Sequence, residues 1–430
     1  MIARLIQQYK NSERFKQVLS LYAVNIIGIP LSIISSIIVT RFLGPVAFGD
    51  FKFLQNIFTL GISLFSIGFF QAGNRALVLN NDIQKGRELY GAQLIILVGL
   101  SIIMSVSLFA YVSLDNNINE KGLKDLFIYL IPFAWVFMLV MYFEVLFQAD
   151  NKIYLLAKSR LYPKLAYFIS VLLIYFFFFE YKENRLSLIW IFFLTTQILA
   201  FLYIIFKINP SFLNLGGRIR EIWHYNRTFG LNVYAGSLFT VSFGQLTGVL
   251  ISYFGMDNAG VGYFSLALTI TAPLGFIPNV IGTTHYKDFS TSTRISKKLF
   301  LTTIAFSLSA LIMIFALVGP FIKFFYGSDF IPVITLTYIV SIGVIFHGLA
   351  DFVNRFLGSH GEGKALRNSS FIVGTCLMIF NITLIPRFGE TGAAFTRILS
   401  GLIYFITMLW FYRRVVYSIK EKQELKENQD

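Results

Sequence analysis

The sequence predicts an all-α polytopic membrane protein, with twelve transmembrane helices in two six-helix lobes related by a parallel pseudo-two-fold axis along the membrane normal. Three observations predict it. The 430-residue chain is 56% hydrophobic and only 13% charged, about half the charge fraction usual for a soluble domain. Its charges are gathered between twelve runs that lack Asp, Glu, Lys and Arg. A glycine-aromatic turn in the first loop returns some two hundred residues later.

The first six runs cover 17–40, 53–74, 89–114, 126–143, 165–179 and 186–206. Most reach the ~20 residues that cross ~30 Å of hydrocarbon. The 165–179 run is short and needs flanking residues whose charges snorkel or face protein. These six form an N-terminal lobe, 1–206. A cytoplasmic linker follows at 207–228, where Pro210 and the Gly216-Gly217 pair break helices. Its Arg218, Arg220, Trp223 and Arg227 suit an interfacial helix. The remaining runs, 228–256, 258–286, 299–322, 330–350, 368–386 and 398–412, form a C-terminal lobe, 229–415, and a charged tail closes the chain at 416–430. Six is even, so both lobes start on the same side of the membrane and are parallel repeats.

Lys and Arg set the orientation. The alternate connections that include both termini hold 27 of the 36, and the opposite set holds 8. Both termini are therefore expected in the cytoplasm. This bias accounts for most of the +14 net charge, so the basic balance points to anionic lipid and gives no support to nucleic-acid binding. The first run has no small-residue cleavage site after it and reads as an uncleaved helix. There is no GxxxxGK[ST] phosphate loop, no Cys/His cluster and no nucleophile-base arrangement, so neither nucleotide hydrolysis nor a metal or other cofactor is expected. All the external connections are about twelve residues or fewer, which leaves little room for an external catalytic domain.

Three stretches carry a family resemblance: LGPVAFGDF at 43–51, LGSHGEGKALRNSS at 357–370 and NITLIPRFGETGAAFTRILS at 381–400. Together they resemble bacterial polysaccharide-lipid flippases, the O-antigen and capsule branch of the multidrug/oligosaccharidyl-lipid/polysaccharide exporter superfamily. The resemblance implies two lobes in a V. Between them an undecaprenyl-pyrophosphate-linked oligosaccharide would cross the cytoplasmic (inner) membrane. A polysaccharide polymerase and a chain-length regulator are the implied partners. The rival readings are a multidrug/cation antiporter of the same superfamily and a membrane glycan polymerase or ligase.

Amides within the runs and charges at or near their ends are the candidate site residues, because a charge drawn into the membrane costs ~2.5–3.5 kcal/mol on insertion scales. For a glycan diphosphate the expected cavity residues are Asn25, Arg41, Lys52, Gln55, Asn56, Arg75, Asn232 and Arg397. Arg matches phosphate best through its planar fork, and Lys52, Gln55 and Asn56 share one helix face. Snorkelling to the headgroups is the alternative for each cation. Glu144, an embedded carboxylate, is a candidate for binding a coupling ion or pairing with a cavity Arg, the alternative being a helix-end carboxylate near the cytoplasm. His347, Asp351 and Arg355, spaced by four along one face, are further candidates for coupling to a proton or sodium gradient. The alternative for these three is a self-neutralised cluster at the helix end. Pro30, Pro273 and Pro278 are expected to kink the helices that contain them.

Overall fold

In the computed structural model, residues 13–80, 82–150, 152–178 and 183–427 are described. Among them the chain is helical throughout, with no strand. The helices are α1 (Glu13–Phe65), α2 (Phe69–Val78), α3 (Ile83–Leu114), α4 (Asn116–Glu120), α5 (Lys124–Leu130), α6 (Ala134–Ala149), α7 (Ile153–Phe177), α8 (Arg185–Ile208) and α9 (Leu215–Tyr225). They continue with α10 (Leu231–Phe254), α11 (Ala259–Thr284), α12 (Tyr286–Thr291), α13 (Lys297–Phe321), α14 (Pro332–Ser359) and α15 (Gly363–Glu427). Nine helical stretches among the described residues are long and apolar enough to cross a membrane, so the chain is a multi-pass membrane protein.

Two of the nine, Ile26–Phe65 and Gly363–Ile419, run 40 and 57 residues, roughly twice or more what one crossing needs. Each breaks at a glycine outside helical geometry: Gly44 (φ 76°, ψ 176°) and Gly389 (φ 56°, ψ −134°). Only glycine enters such conformations without a Cβ penalty. Both positions fall where the sequence predicts external turns. Through Pro273 and Pro278, by contrast, α11 continues as one helix, as does the Pro30 segment of α1.

Packing divides the chain into two units. Unit 1 comprises Met1–Leu43 with Leu54–Leu238, and unit 2 comprises Gly44–Phe53 with Phe239–Asp430. The 207–228 linker therefore belongs to unit 1. Its helix α9 is tied to the start of α3: Arg218 Nε donates to Glu88 Oε2 at 2.8 Å, Lys85 Nζ lies 2.9 Å from Glu221 Oε1, and Arg87 Nε donates to the Asn209 carbonyl at 2.8 Å. Lipid is as apolar as the helix surfaces, so contact area and buried hydrogen bonds, rather than water exclusion, hold such bundles together. Unit 1 supplies contact area with aromatics. Phe58 stacks on Phe137 with centroids 4.5 Å apart, and Phe127 and Trp190 meet its edges. The fully buried Gln93 donates to the Phe69 carbonyl at 3.0 Å, fixing α2 on α3. Beside the Gly44 break, Arg185 Nη1 donates to the freed Phe42 carbonyl at 2.9 Å.

In unit 2, α14 lies between α11 and the second half of α15. Phe289, Phe352, Phe356, Met408 and Phe411 form the core of one end. At the other end, the two copies of the repeated turn pack together. Asn258 Nδ2 donates to Asp50 Oδ1 at 2.7 Å, and a Cβ on Gly49 would come within 1.7 Å of the Asn258 carbonyl oxygen. A Cβ on Gly262 would meet Gly49 N at 3.1 Å. The repeated glycines are therefore needed for contact between backbones, and Asp50, present only in the first copy, supplies the hydrogen bond that joins the two.

Candidate functional site

Unit 1 contains a cavity of about 400 Å³ among α1, α6, α7 and α8. Glu144 comes from α6, Arg160 and Lys164 from successive turns of α7, and Gln197 from α8. Arg160 grips Glu144 with both arms of its fork: Nε donates to Oε2 at 2.9 Å and Nη2 donates to Oε1. Gln148 Nε2 adds a third hydrogen bond to Glu144 Oε1 at 2.8 Å. Lys164 lies close enough to Arg160 for the two charges to repel. It is accessible, and among the described residues it has no hydrogen-bonding or ion-pair partner. The cavity thus presents two cations against one carboxylate, with the carboxylate committed to Arg160. Chemically it is a seat for an anion.

In the sequence Glu144 stands out as an embedded carboxylate, whereas Arg160 and Lys164 fall between the charge-free runs 126–143 and 165–179 and read as part of the connection. Helix α7 begins at Ile153, so these cations stand seven and eleven residues inside it, roughly 10–16 Å along its axis. The signal was available. The 165–179 run is too short to cross alone, and its extension must take in residues spaced by four on one face.

Unit 2 holds a second polar group, between α14 and α15. His347, Asp351 and Arg355 line one face of α14, and Arg397, Ser400 and Tyr404 line the facing stripe of α15. Tyr404 Oη donates to Asp351 Oδ1 at 3.0 Å and accepts from Asn354 Nδ2 at 3.0 Å. The rings of His347 and Tyr404 lie 5.6 Å apart, and His347 Nε2 is 3.5 Å from Ser400 Oγ, long for a hydrogen bond. Arg355 reaches Asn279 Oδ1 at 3.4 Å. Asp351 makes no ion pair within 4 Å among the described residues; its direct partner is a phenol on the neighbouring helix, and neither α14 neighbour fills that role. Arg397 lies within electrostatic reach of both Asp351 and His347, and its buried Nε has no hydrogen-bond partner among the described residues. Two glycines bring the helices this close: a Cβ on Gly343 would meet the Arg397 carbonyl oxygen at 2.6 Å, and one on Gly401 the Gly343 carbonyl oxygen at 2.7 Å.

The other sequence candidates are dispersed. Lys52, Gln55 and Asn56 are half-buried on α1, with Lys52 Nζ 5.4 Å from the Phe51 ring centroid and 5.6 Å from that of Phe48. Arg41 is exposed near the Gly44 break, and Arg75 is exposed in the last turn of α2. Asn232 is exposed and reaches back to the Thr228 carbonyl at 3.4 Å. The side chain of Asn25 lies outside the described residues.

The fold is shared with transporters of known structure. A lipid II flippase, MurJ, in an inward-closed conformation matches with a TM-score of 0.71 at 16% identity, over 93% of this chain and 89% of that one. An inward-facing multidrug resistance transporter of the MATE family, in the MOP superfamily, matches with a TM-score of 0.70 at 14% identity, over 94% and 99%. In sequence, 46% of the chain is 24% identical to an uncharacterized membrane protein of Methanocaldococcus jannaschii, spanning 40% of that relative's length. The sequence profile of the polysaccharide biosynthesis protein family matches residues 15–290, well over half of the chain, and the protein belongs to that family.

Proposed function

We propose that the chain is a flippase that carries undecaprenyl-pyrophosphate-linked oligosaccharide repeat units, for O-antigen or capsule, across the cytoplasmic membrane by alternating access. The observation that carries this reading is the anion seat of unit 1, where Lys164 stands unpaired beside an Arg160–Glu144 pair. A diphosphate can take its charge-assisted hydrogen bonds from Lys164 and compete with Glu144 for Arg160. In this reading α1 and α15 each cross twice at their glycine breaks. With α10 counted among the spans, the crossings number twelve in two lobes, with both termini in the cytoplasm and Lys52, Gln55, Asn56 and Arg41 toward the glycan path. Asp351 and His347 couple transport to a proton or sodium gradient, with Arg397 as the internal countercharge. A polymerase and a chain-length regulator act on the delivered units.

A multidrug antiporter would want an acidic seat open to an organic cation. Glu144 is the carboxylate of this cavity, and Arg160 already fills it, so the structure favours an anionic cargo. Deletion of the gene should trap lipid-linked single repeat units on the cytoplasmic face, and supplying the protein in trans should release them. Delivery of single units to the outer face in the deletion strain would instead indicate a polymerase. Asp351→Asn keeps the acceptor for Tyr404 but removes the charge, so transport by that variant in proteoliposomes should no longer respond to an imposed proton or sodium gradient. An unchanged response would remove Asp351 from coupling.

A further inference from the structure

At the opposite end of unit 2 from the repeated turns, a groove of about 310 Å³ opens between the first turns of α15 and its last third. Lys364 and Asn368 form one wall, Arg414 and Ser418 the other, and Phe411 and Val415 part of the floor. The floor is firm, because Phe411 and Val415 belong to the buried cluster that includes Phe356 and Met408. Arg367 points both Nε and Nη2 at Asn368 Oδ1, each at 3.4 Å, which puts a third cation at the rim. Glu362 also lines the groove, yet among the described residues neither Lys364 nor Arg414 has an ion-pair partner. Four cations of unit 1, Lys85, Lys152, Arg160 and Arg218, are by contrast each paired with a carboxylate.

The surroundings identify the occupant. Arg414 Cζ sits 5.9 Å from the Trp410 ring centroid, and Trp410 and Tyr417 are 56% and 73% exposed. Exposed Trp and Tyr beside cations at the end of an apolar span mark the headgroup level of a bilayer. Unpaired cations between two such segments attract phosphate. We propose that this groove holds the headgroup phosphate of an anionic phospholipid from the cytoplasmic leaflet, gripped by Lys364 and Arg414 from opposite walls while its acyl chains run down beside Trp410. The leaflet assignment rests on the orientation proposed above, but the binding chemistry does not depend on transport.

The test uses full-length protein in neutral detergent, titrated with phosphatidylglycerol or phosphatidylcholine carrying a doxyl quencher near the headgroup. The readout is tryptophan fluorescence, and the Trp410→Phe protein supplies the background from the other three tryptophans. The wild type should be quenched by phosphatidylglycerol at lower concentration than by phosphatidylcholine. Each of Lys364→Gln and Arg414→Gln should weaken that preference about fivefold, and the pair together should abolish it. Glu362→Gln should strengthen it, an outcome that mere misfolding cannot produce. Equal quenching by the two lipids, or a preference that survives in the double variant, overturns the proposal. Full displacement of the lipid by millimolar inorganic phosphate would also overturn it, since the groove would then be a site for a free anion.

Discussion

In unit 1, Arg160 and Lys164 face about 400 Å³ of open space with a carboxylate at its edge. In unit 2, Arg397 faces a carboxylate and an imidazole across helices in backbone contact at Gly343 and Gly401, and the phenol of Tyr404, on its own helix, holds that carboxylate. The residue types are much the same: cations, one acid, a polar rim, all on helices with apolar outer faces. The separation of the helices differs. Phe143, Phe201 and Pro163 line the open space around the charges of unit 1, whereas glycines close unit 2 over its own. A charge facing open space can be satisfied by something that arrives. An enclosed charge must be satisfied by its neighbours, so its state changes only by a proton, a small ion or a movement of the helices.

The largest expected effect tests that difference in spacing directly. In Gly343→Ala the new methyl would lie 2.6 Å from the Arg397 carbonyl oxygen, backbone that cannot yield without parting α14 from α15. Overpacking of this kind costs about 1–3 kcal/mol or more. The counterpart in unit 1 is Gly28→Ala, whose methyl would meet, among the described residues, the flexible Lys164 side chain, with Nζ nearest at 3.2 Å. Alanine there gains about 0.5–1 kcal/mol of helix propensity. Thermal melting in detergent should therefore fall by several degrees for Gly343→Ala and hold or rise for Gly28→Ala. Equal losses would show that the unit 1 cavity is packed as tightly as the unit 2 cluster, and the comparison would fail.

Next in size is the effect of the cavity charges on transport. If the proposed transport holds, Lys164→Gln removes a charge-assisted hydrogen bond to the anionic cargo, worth about 1.5–3 kcal/mol, and glycan export should drop about tenfold or more at unchanged protein level. Glu144→Gln frees Arg160 and should move transport in a different way: tighter substrate binding with slower release, read as lower values of both KM and maximal rate. Should both variants export at the wild-type rate, the cavity is not on the substrate path.

Much of this architecture is legible in the sequence, and the reasons divide along the same line. The membrane-crossing character and the positions of two turns are encoded by composition, because hydrocarbon tolerates no free charge and a reversing backbone needs glycine; Gly44 and Gly389 stand where the patterning puts them. The His347, Asp351 and Arg355 face is likewise visible from spacing by four. Partners are not visible. Nothing local tells that Asp351 will meet Tyr404, fifty-three residues away, or that Arg397 will join that cluster. Arg160 and Lys164 were hidden for a different reason. A charged residue near a helix end reads as a loop residue until the helix boundary is known, and here α7 starts well before the charge-free run does.

The smallest effect concerns the pairing of charges at the edge of unit 1, where α9 is bound to α3. Glu221 accepts from Arg218 Nη1 at 2.8 Å and lies 2.9 Å from Lys85 Nζ. Partial burial pushes its carboxyl upward, but the hydrogen bonds and charges of Lys85 and Arg218 outweigh this and hold it below the usual carboxylate range. A carboxylate whose pKa is lowered by folding stabilises the fold at pH values above the ordinary value of about 4.3, and that contribution disappears as pH falls through the lowered value. For a mostly screened network it amounts to about 0.5–1 kcal/mol. Wild-type protein should therefore melt slightly higher than Glu221→Gln at pH 7, and the two curves should converge as the pH is taken down toward 3. A gap of constant size would mean that the side chain contributes shape rather than charge, and that the linker is held by packing alone. In that case the contrast between the paired Lys85 and Arg218 at this edge of unit 1 and the cations in the groove of unit 2 would say nothing about what holds α9 in place.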